Sequence, residues 1–272
     1  MWWFLRPGVD EKLNVYKSSP PIILATAGLG TSDFLSAGMR VIRQAKGFNT
    51  FTEYKLLTTD NLPILCPTIH RKYLDVLNKS TRGFGFMSWK AELTYRVLEE
   101  HQGEVLYLWV DAGCEMFPTL IGKFTLKRYL KRLERDGYLY FTLKTPEVEH
   151  TKVGLFEYFP SLRKTDTSPQ AQTTFFGLYG KKGQKIAQRW FDVVTSDIAT
   201  VNEQDSYAFD GSVVKHRHDQ SVFSLVLKEM GLTPNLKPIK SAKSAIPFAN
   251  NLKYLTQPVL ACRNRTGKSL LE

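Results

Sequence analysis

A chain of 272 residues, 43% of them hydrophobic and 23% charged, can bury one large core and has no long stretch of disorder-like composition. Its formal charge of +11 points to anionic partners: a nucleotide pyrophosphate, an anionic lipid, an acidic polymer or nucleic acid. The three cysteines, Cys66, Cys114 and Cys262, are widely spaced and odd in number, which fits a reducing, cytoplasmic setting better than a disulfide framework and leaves no zinc-site spacing.

The first residues, Met1-Trp2-Trp3-Phe4-Leu5, are too few for a signal peptide or a membrane span and are closed by Arg6-Pro7-Gly8. A tail packed on the core is expected there, with a peripheral contact at the inner face of an anionic membrane as the alternative. Ile22–Ala27 reads as a first strand, Gly28-Leu29-Gly30 as a turn, and Thr31-Ser32-Asp33 as the cap of a helix over Phe34–Lys46. The third glycine of a dinucleotide fingerprint is missing, although a strand-turn-helix opening still offers free amides to a nucleotide. A second strand is expected over Thr52–Thr58 and a helix over Thr68–Leu77. The polar loop Asn78–Gly85 carries Lys79 and Arg82.

Ser88 is placed to cap a helix that runs to His101, with Lys90 in its first turn. A cation there opposes the helix dipole by about 0.3–1 kcal/mol unless an anion docks beside it. A solvated Lys90 is the expected reading from the residues alone, and Trp89 reads as core, with a platform for a base as the alternative. The apolar run ending Leu106-Tyr107-Leu108-Trp109-Val110 has no polar alternation, as in a strand covered on both faces. Asp111 stands at its carboxyl end, where ligands of open α/β sheets bind, and Ala112-Gly113 turn the chain. That carboxylate suits a metal ion, a sugar hydroxyl or a cap.

Lys123–Arg135 is amphipathic, with Leu126, Tyr129, Leu130 and Leu133 on one stripe and a basic opposite face. Tyr138–Leu143 and Thr173–Tyr179 read as strands, Gln184–Val194 as a helix, and Pro146–Gln172 as a long irregular segment able to fold over a site. His216-Arg217-His218-Asp219-Gln220-Ser221 begins a last helix, where capping, acid–base work and phosphate binding are all compatible with the residues. Residues 1–240 are read as one domain and 241–272 as a peripheral basic segment, frayed over its last ten residues.

Gly83-Phe84-Gly85-Phe86-Met87-Ser88-Trp89-Lys90, then Leu108-Trp109-Val110-Asp111-Ala112-Gly113-Cys114, Glu149-His150-Thr151-Lys152 and His216–Ser221 together resemble a group of bacterial and viral glycosyltransferases. The resemblance spans roughly Pro21–Leu232. It implies an α/β, GT-A-type fold, a Rossmann-like sandwich whose mostly parallel central sheet is flanked by helices, and transfer of a sugar from a nucleotide-sugar donor to a glycan or other hydroxyl acceptor, as in polysaccharide biosynthesis. It also implies donor contacts at Ala27, Trp89, Lys90, Asp111, Ala112 and Gly113, and acceptor contacts at Gln172, Thr173 and Gln220. Asp219 would stand near the anomeric carbon or orient the acceptor hydroxyl, with His218 as a base or phosphate contact. A retaining, hexosyltransferase-like outcome is the nearer match.

Two positions depart from that pattern. Gly113 stands where such enzymes carry the second aspartate of Asp-x-Asp, so Asp111 is left as the ligand for Mn2+ or Mg2+, with Glu115 as a possible helper. Phe86-Met87-Ser88 also stand where the group favours other aromatics. A phosphohydrolase using Asp111 as nucleophile lacks its second aspartate. A nucleic-acid binder lacks a reader module and has its positive charge spread along the chain.

Overall fold

The computed structural model describes residues 19–212, 214–238 and 256–269. Its centre is a five-stranded sheet in the order β2 (Glu53–Thr58), β1 (Ile22–Gly28), β3 (Leu106–Val110), β8 (Phe175–Leu178) and β5 (Tyr138–Leu139). β1 is parallel to both β2 and β3, whereas β8 is antiparallel to β3 and to β5. Four strands therefore share one direction and β8 opposes them. Two small ladders complete the strands: β4 (Cys114–Met116) with β9 (Val259–Ala261), and β6 (Thr142–Pro146) with β7 (Pro169–Ala171).

Five longer helices cover the sheet: α1 (Ser32–Lys46), α2 (Trp89–Glu100), α3 (Leu120–Asp136), α4 (Gly180–Ser196) and α5 (Asp219–Glu229). The alternation of β3 explains the layers. Tyr107 and Trp109 face one core with Ile23, Ala25, Trp89, Trp190 and Phe223. Leu106, Leu108 and Val110 face the other with Leu24, Val41, Leu126 and Leu133. Neither face meets water, so every residue of the strand is apolar. Gly28 lets α1 pack closely, since a Cβ there would lie 2.6 Å from the Leu35 Cα.

The expected elements are present, with shifted ends. Thr31 caps α1 as expected, accepting from the Phe34 amide. Ser88 does not cap α2: its hydroxyl donates back to Gly85 O at 2.8 Å. The Thr68–Leu77 helix is shorter, Pro67–Lys72 with a 3-10 turn at Leu74–Val76, and Tyr138–Leu143 is divided between β5 and β6. Pro146–Gln172 is not a loose cover. The buried Glu147 carboxylate receives Thr151, Gln170 at 2.9 Å, Ser224 and the Lys228 ammonium at 2.9 Å, which pins the segment to α5.

The described part of the C-terminal segment, residues 256–269, is also not frayed. Arg40, fully buried, donates to Ala112 O and Cys114 O (both 2.8 Å), to Asn264 O at 3.1 Å and to Thr266 O, and its Nε lies 3.3 Å from Glu115 Oε1. One guanidinium thus joins α1, the turn after β3 and the chain's last described stretch. Residues 239–255 and 270–272, like Met1–Leu5, lie outside the described residues. Arg40→Ala should lower unfolding free energy by about 3 kcal/mol, because Glu115 loses its buried cation. Urea titration of the variant checks this, and a loss below about 1 kcal/mol would show that the clamp adds little.

Candidate functional site

Asp111 follows β3 directly, Lys90 lies in the first turn of α2, and Asp219 is the first residue of α5. The fold brings all three together. The Lys90 ammonium lies 3.0 Å from Asp111 Oδ1 and 3.1 Å from Asp219 Oδ2. Trp109 Nε1 donates to the same Asp111 oxygen at 2.7 Å, and the Thr173 hydroxyl donates to Asp219 Oδ2 at 3.2 Å. The Lys90 and Asp219 side chains are 1% and 2% exposed, whereas Asp111 is 35% exposed, so Asp111 is the member of the cluster open to a ligand.

Burial pulls the Lys90 ammonium toward its neutral form, but the two carboxylates and their hydrogen bonds outweigh it and leave its pKa raised. Burial raises the Asp219 pKa, and the charge of Asp111 adds to this. Lys90 and the Thr173 hydroxyl oppose the rise without cancelling it. Lys90 is therefore neither solvated nor a free hook for an anion, because its charge is already committed.

This arrangement does not fit Mn2+ or Mg2+ at Asp111. Hard divalent cations need several oxygen ligands, and here an ammonium stands between the two carboxylates. Among the described residues no group of three or more His, Cys, Asp or Glu side chains is placed to hold a metal. Glu115 is directed to Arg40, Gln44 and Asn264 instead.

The loop before α2 is unusual. Gly83, Phe84, Gly85, Phe86 and Met87 all have positive φ, between 52° and 85°, and form a left-handed turn. Three of these residues carry side chains, each at a cost of roughly 1–2 kcal/mol. Trp89 Nε1 holds the turn by donating to Gly83 O (3.1 Å) and Phe84 O (3.0 Å), and Trp89 is buried against Trp109 rather than open as a base platform. Phe86 lies on the His218 ring, with centroids 5.2 Å apart.

Neither His218 nor Asp219 caps α5. His218 occupies the capping position with φ 50° and ψ −126° and makes no side-chain cap bond. Its Nδ1 donates to Val201 O at 2.7 Å, which leaves Nε2 of the neutral ring as the unprotonated nitrogen. Nε2 has no hydrogen-bond donor, and Glu203 Oε1 at 3.4 Å is another acceptor. The ring is 1% exposed and is packed between neighbours rather than open to a substrate.

The other expected contacts are scattered. Ala27 is core, Ala112 O accepts from Arg40, and Gly113 O accepts from Asn264 N at 3.0 Å. Thr173 positions Asp219, Gln172 is half-buried with its backbone N–H donating to Phe141 O, and Gln220 Nε2 donates to Gln170 Oε1 at 2.6 Å. Cationic residues converge nearby. Half-buried Arg217 has its pKa lowered by burial and then by the charges of Arg263 and Arg82. The Arg263 Cα lies 3.4 Å from where a Cβ on Gly113 would stand. Trp109 was legible as a partner of Asp111, since i and i+2 share a strand face. Arg263 carried no local signal.

No protein-family model matches the sequence, and no curated protein matches it. Among solved structures, mouse xyloside xylosyltransferase 1 in its apo form aligns over 89% of this chain and 97% of its own, at 9% identity and a TM-score of 0.45. A glycosyltransferase involved in the glycosylation of the major capsid of PBCV-1 aligns over 93% and 96%, at 11% identity and a TM-score of 0.40. Both are too remote to carry an argument about this chain. What the chain itself defines is a mixed α/β protein with a carboxylate–lysine–carboxylate cluster at the carboxyl end of its central strand.

The buried histidines set a pH dependence. Burial lowers both imidazoles below 6.5, His216 to about 3. The unfolded chain then binds more protons below 6.5, so this stability is present above 6.5 and lost as pH falls toward the folded values. The slope is up to about 1.4 kcal/mol per pH unit for each histidine. Stability measured from pH 7.5 to 5 should fall, the His216 ring signal should not titrate in that range, and the His218 midpoint should lie below 6.5. Titration of both near 6.5 would refute it.

Proposed function

We propose that this protein is a glycosyltransferase of the GT-A type that moves a sugar from a nucleotide-sugar donor to a hydroxyl of a glycan or similar acceptor. The observation that carries the reading is the Lys90 bridge. Three of the four sequence stretches that resemble glycosyltransferases, Gly83–Lys90, Leu108–Cys114 and His216–Ser221, each contribute one side chain to the same cluster. That cluster opens at the carboxyl end of β3, where α/β sheets receive ligands.

In this reading Asp111 touches the donor, because it alone of the three is open. Lys90 fixes the Asp111 carboxylate and supplies a positive charge that needs no reorganisation during the reaction. Asp219, tied to Lys90 and Thr173, is a positioning residue that keeps the ammonium opposite Asp111. Arg217, Arg263 and Arg82 provide the positive field for the departing nucleoside diphosphate. Since the donor set does not fit a divalent ion, transfer proceeds with these fixed cations. A retaining outcome with a hexosyl donor is the finer form of the proposal, resting on the Asp219-Gln220 resemblance.

A panel of UDP-, GDP- and ADP-sugars, read by thermal stability with and without Mn2+, tests the donor class. One of them should raise the melting temperature, and by a similar amount after chelation. If none does, or if a metal is indispensable, the reading or its metal-free form is wrong. Asp111→Asn should lower transfer about a hundredfold or more with the fold intact. Near-normal turnover would remove Asp111 from the mechanism.

A further inference from the structure

The helix α3 exposes three large apolar side chains within its first two turns: Leu120 at 87%, Ile121 at 56% and Phe124 at 64%. Surface residues of that size grouped on one stretch mark a contact rather than chance. The buried stripe of the same helix, Leu126, Leu130 and Leu133, points into the core, so these residues belong to the opposite face. Lys127, Arg128 and Lys131 continue that outer face at helical spacing, all exposed, and the Arg128 guanidinium lies 6.0 Å from the Phe124 ring centre. No acidic residue occurs from Leu120 to Leu133.

We propose that this face of α3 docks the protein on an anionic bilayer, with Leu120, Ile121 and Phe124 entering the headgroup region and the three cations meeting lipid phosphates. An apolar tip followed by cations on one helix face is the pattern of an interfacial helix. Each cation near such a surface adds attraction, and the lysine and arginine stems lie along the apolar zone while their heads stay wet. None of the described helices is long and apolar enough to cross a membrane, so the contact is a surface one. The place in the fold supports it. Phe124, Lys127 and Lys131 line a groove with Ile22 and Leu106, the first residues of β1 and β3, whereas Asp111 lies beyond the last residue of β3. Docking therefore uses the end of the sheet opposite the Lys90 cluster and does not depend on the reaction proposed there.

Co-sedimentation of the full chain with vesicles tests this. The protein should pellet with phosphatidylcholine vesicles containing phosphatidylglycerol, weakly or not at all with phosphatidylcholine alone, and less as salt rises. Lys127→Glu with Lys131→Glu should weaken binding at least roughly tenfold, Lys127→Gln with Lys131→Gln by less, and Ile121→Ser with Phe124→Ser several-fold. All four positions are exposed, so melting temperature and helix content should be unchanged and serve as controls. The proposal is overturned if the wild type does not pellet, if it pellets equally on neutral vesicles, or if the α3 variants bind like wild type. Loss only on replacing Trp2 and Trp3 by serine would assign the contact to the N-terminal segment and overturn it. Displacement of bound vesicles by duplex DNA, with DNA binding lost in the same variants, would reassign the face to nucleic acid.

Discussion

A single buried ammonium holds the candidate site together. Lys90 is almost inaccessible to water, and its desolvation would be costly if it stood alone. Two carboxylates from distant parts of the chain offset that cost and are themselves held by it. α2, the end of β3 and the start of α5 are consequently fixed against one another. Removing the Lys90 charge would leave two facing carboxylates, one of them buried, without a cation, so the cluster depends on that ammonium.

The backbone around this cluster is held in conformations that a chain does not adopt without support. The left-handed turn Gly83–Met87 depends on Trp89 hydrogen-bonding its carbonyls, and His218 sits at a positive φ immediately before Asp219. Strain of this kind collects where side chains must be placed for a purpose, and here both strained segments flank the Lys90 bridge. The Glu147 network and the Arg40 clamp secure the surrounding frame from the two sides of the sheet.

The positive charge is divided between two regions with different chemistry. Around the cluster, half-buried Arg217 feels the charges of the exposed Arg263 and Arg82, which suits a small, highly charged anion. On α3, Lys127, Arg128 and Lys131 are exposed and lie beside exposed apolar groups, which suits an extended interface. A net charge alone does not separate these two uses. The neighbours do: carboxylates and a half-buried arginine in one place, exposed apolar side chains in the other.

Much of the architecture was legible in the chain itself, because periodicity and apolar runs are local. The unbroken apolar run before Asp111 required a strand covered on both faces, and the α1 and α3 stripes required helices packed on a sheet. Asp111, Lys90 and Asp219 were each recognisable as chemically notable positions. Their meeting was not, since it depends on α5 returning to the end of β3 after more than a hundred residues of intervening chain, and pairing at such distance leaves no local trace. The same holds for residues 256–269, which read as part of a peripheral basic segment until Arg40 and β4 supply partners. Composition and spacing determined which faces are buried. Only the tertiary fold decided which charges share one site, because Coulombic balance acts through space and not along the sequence.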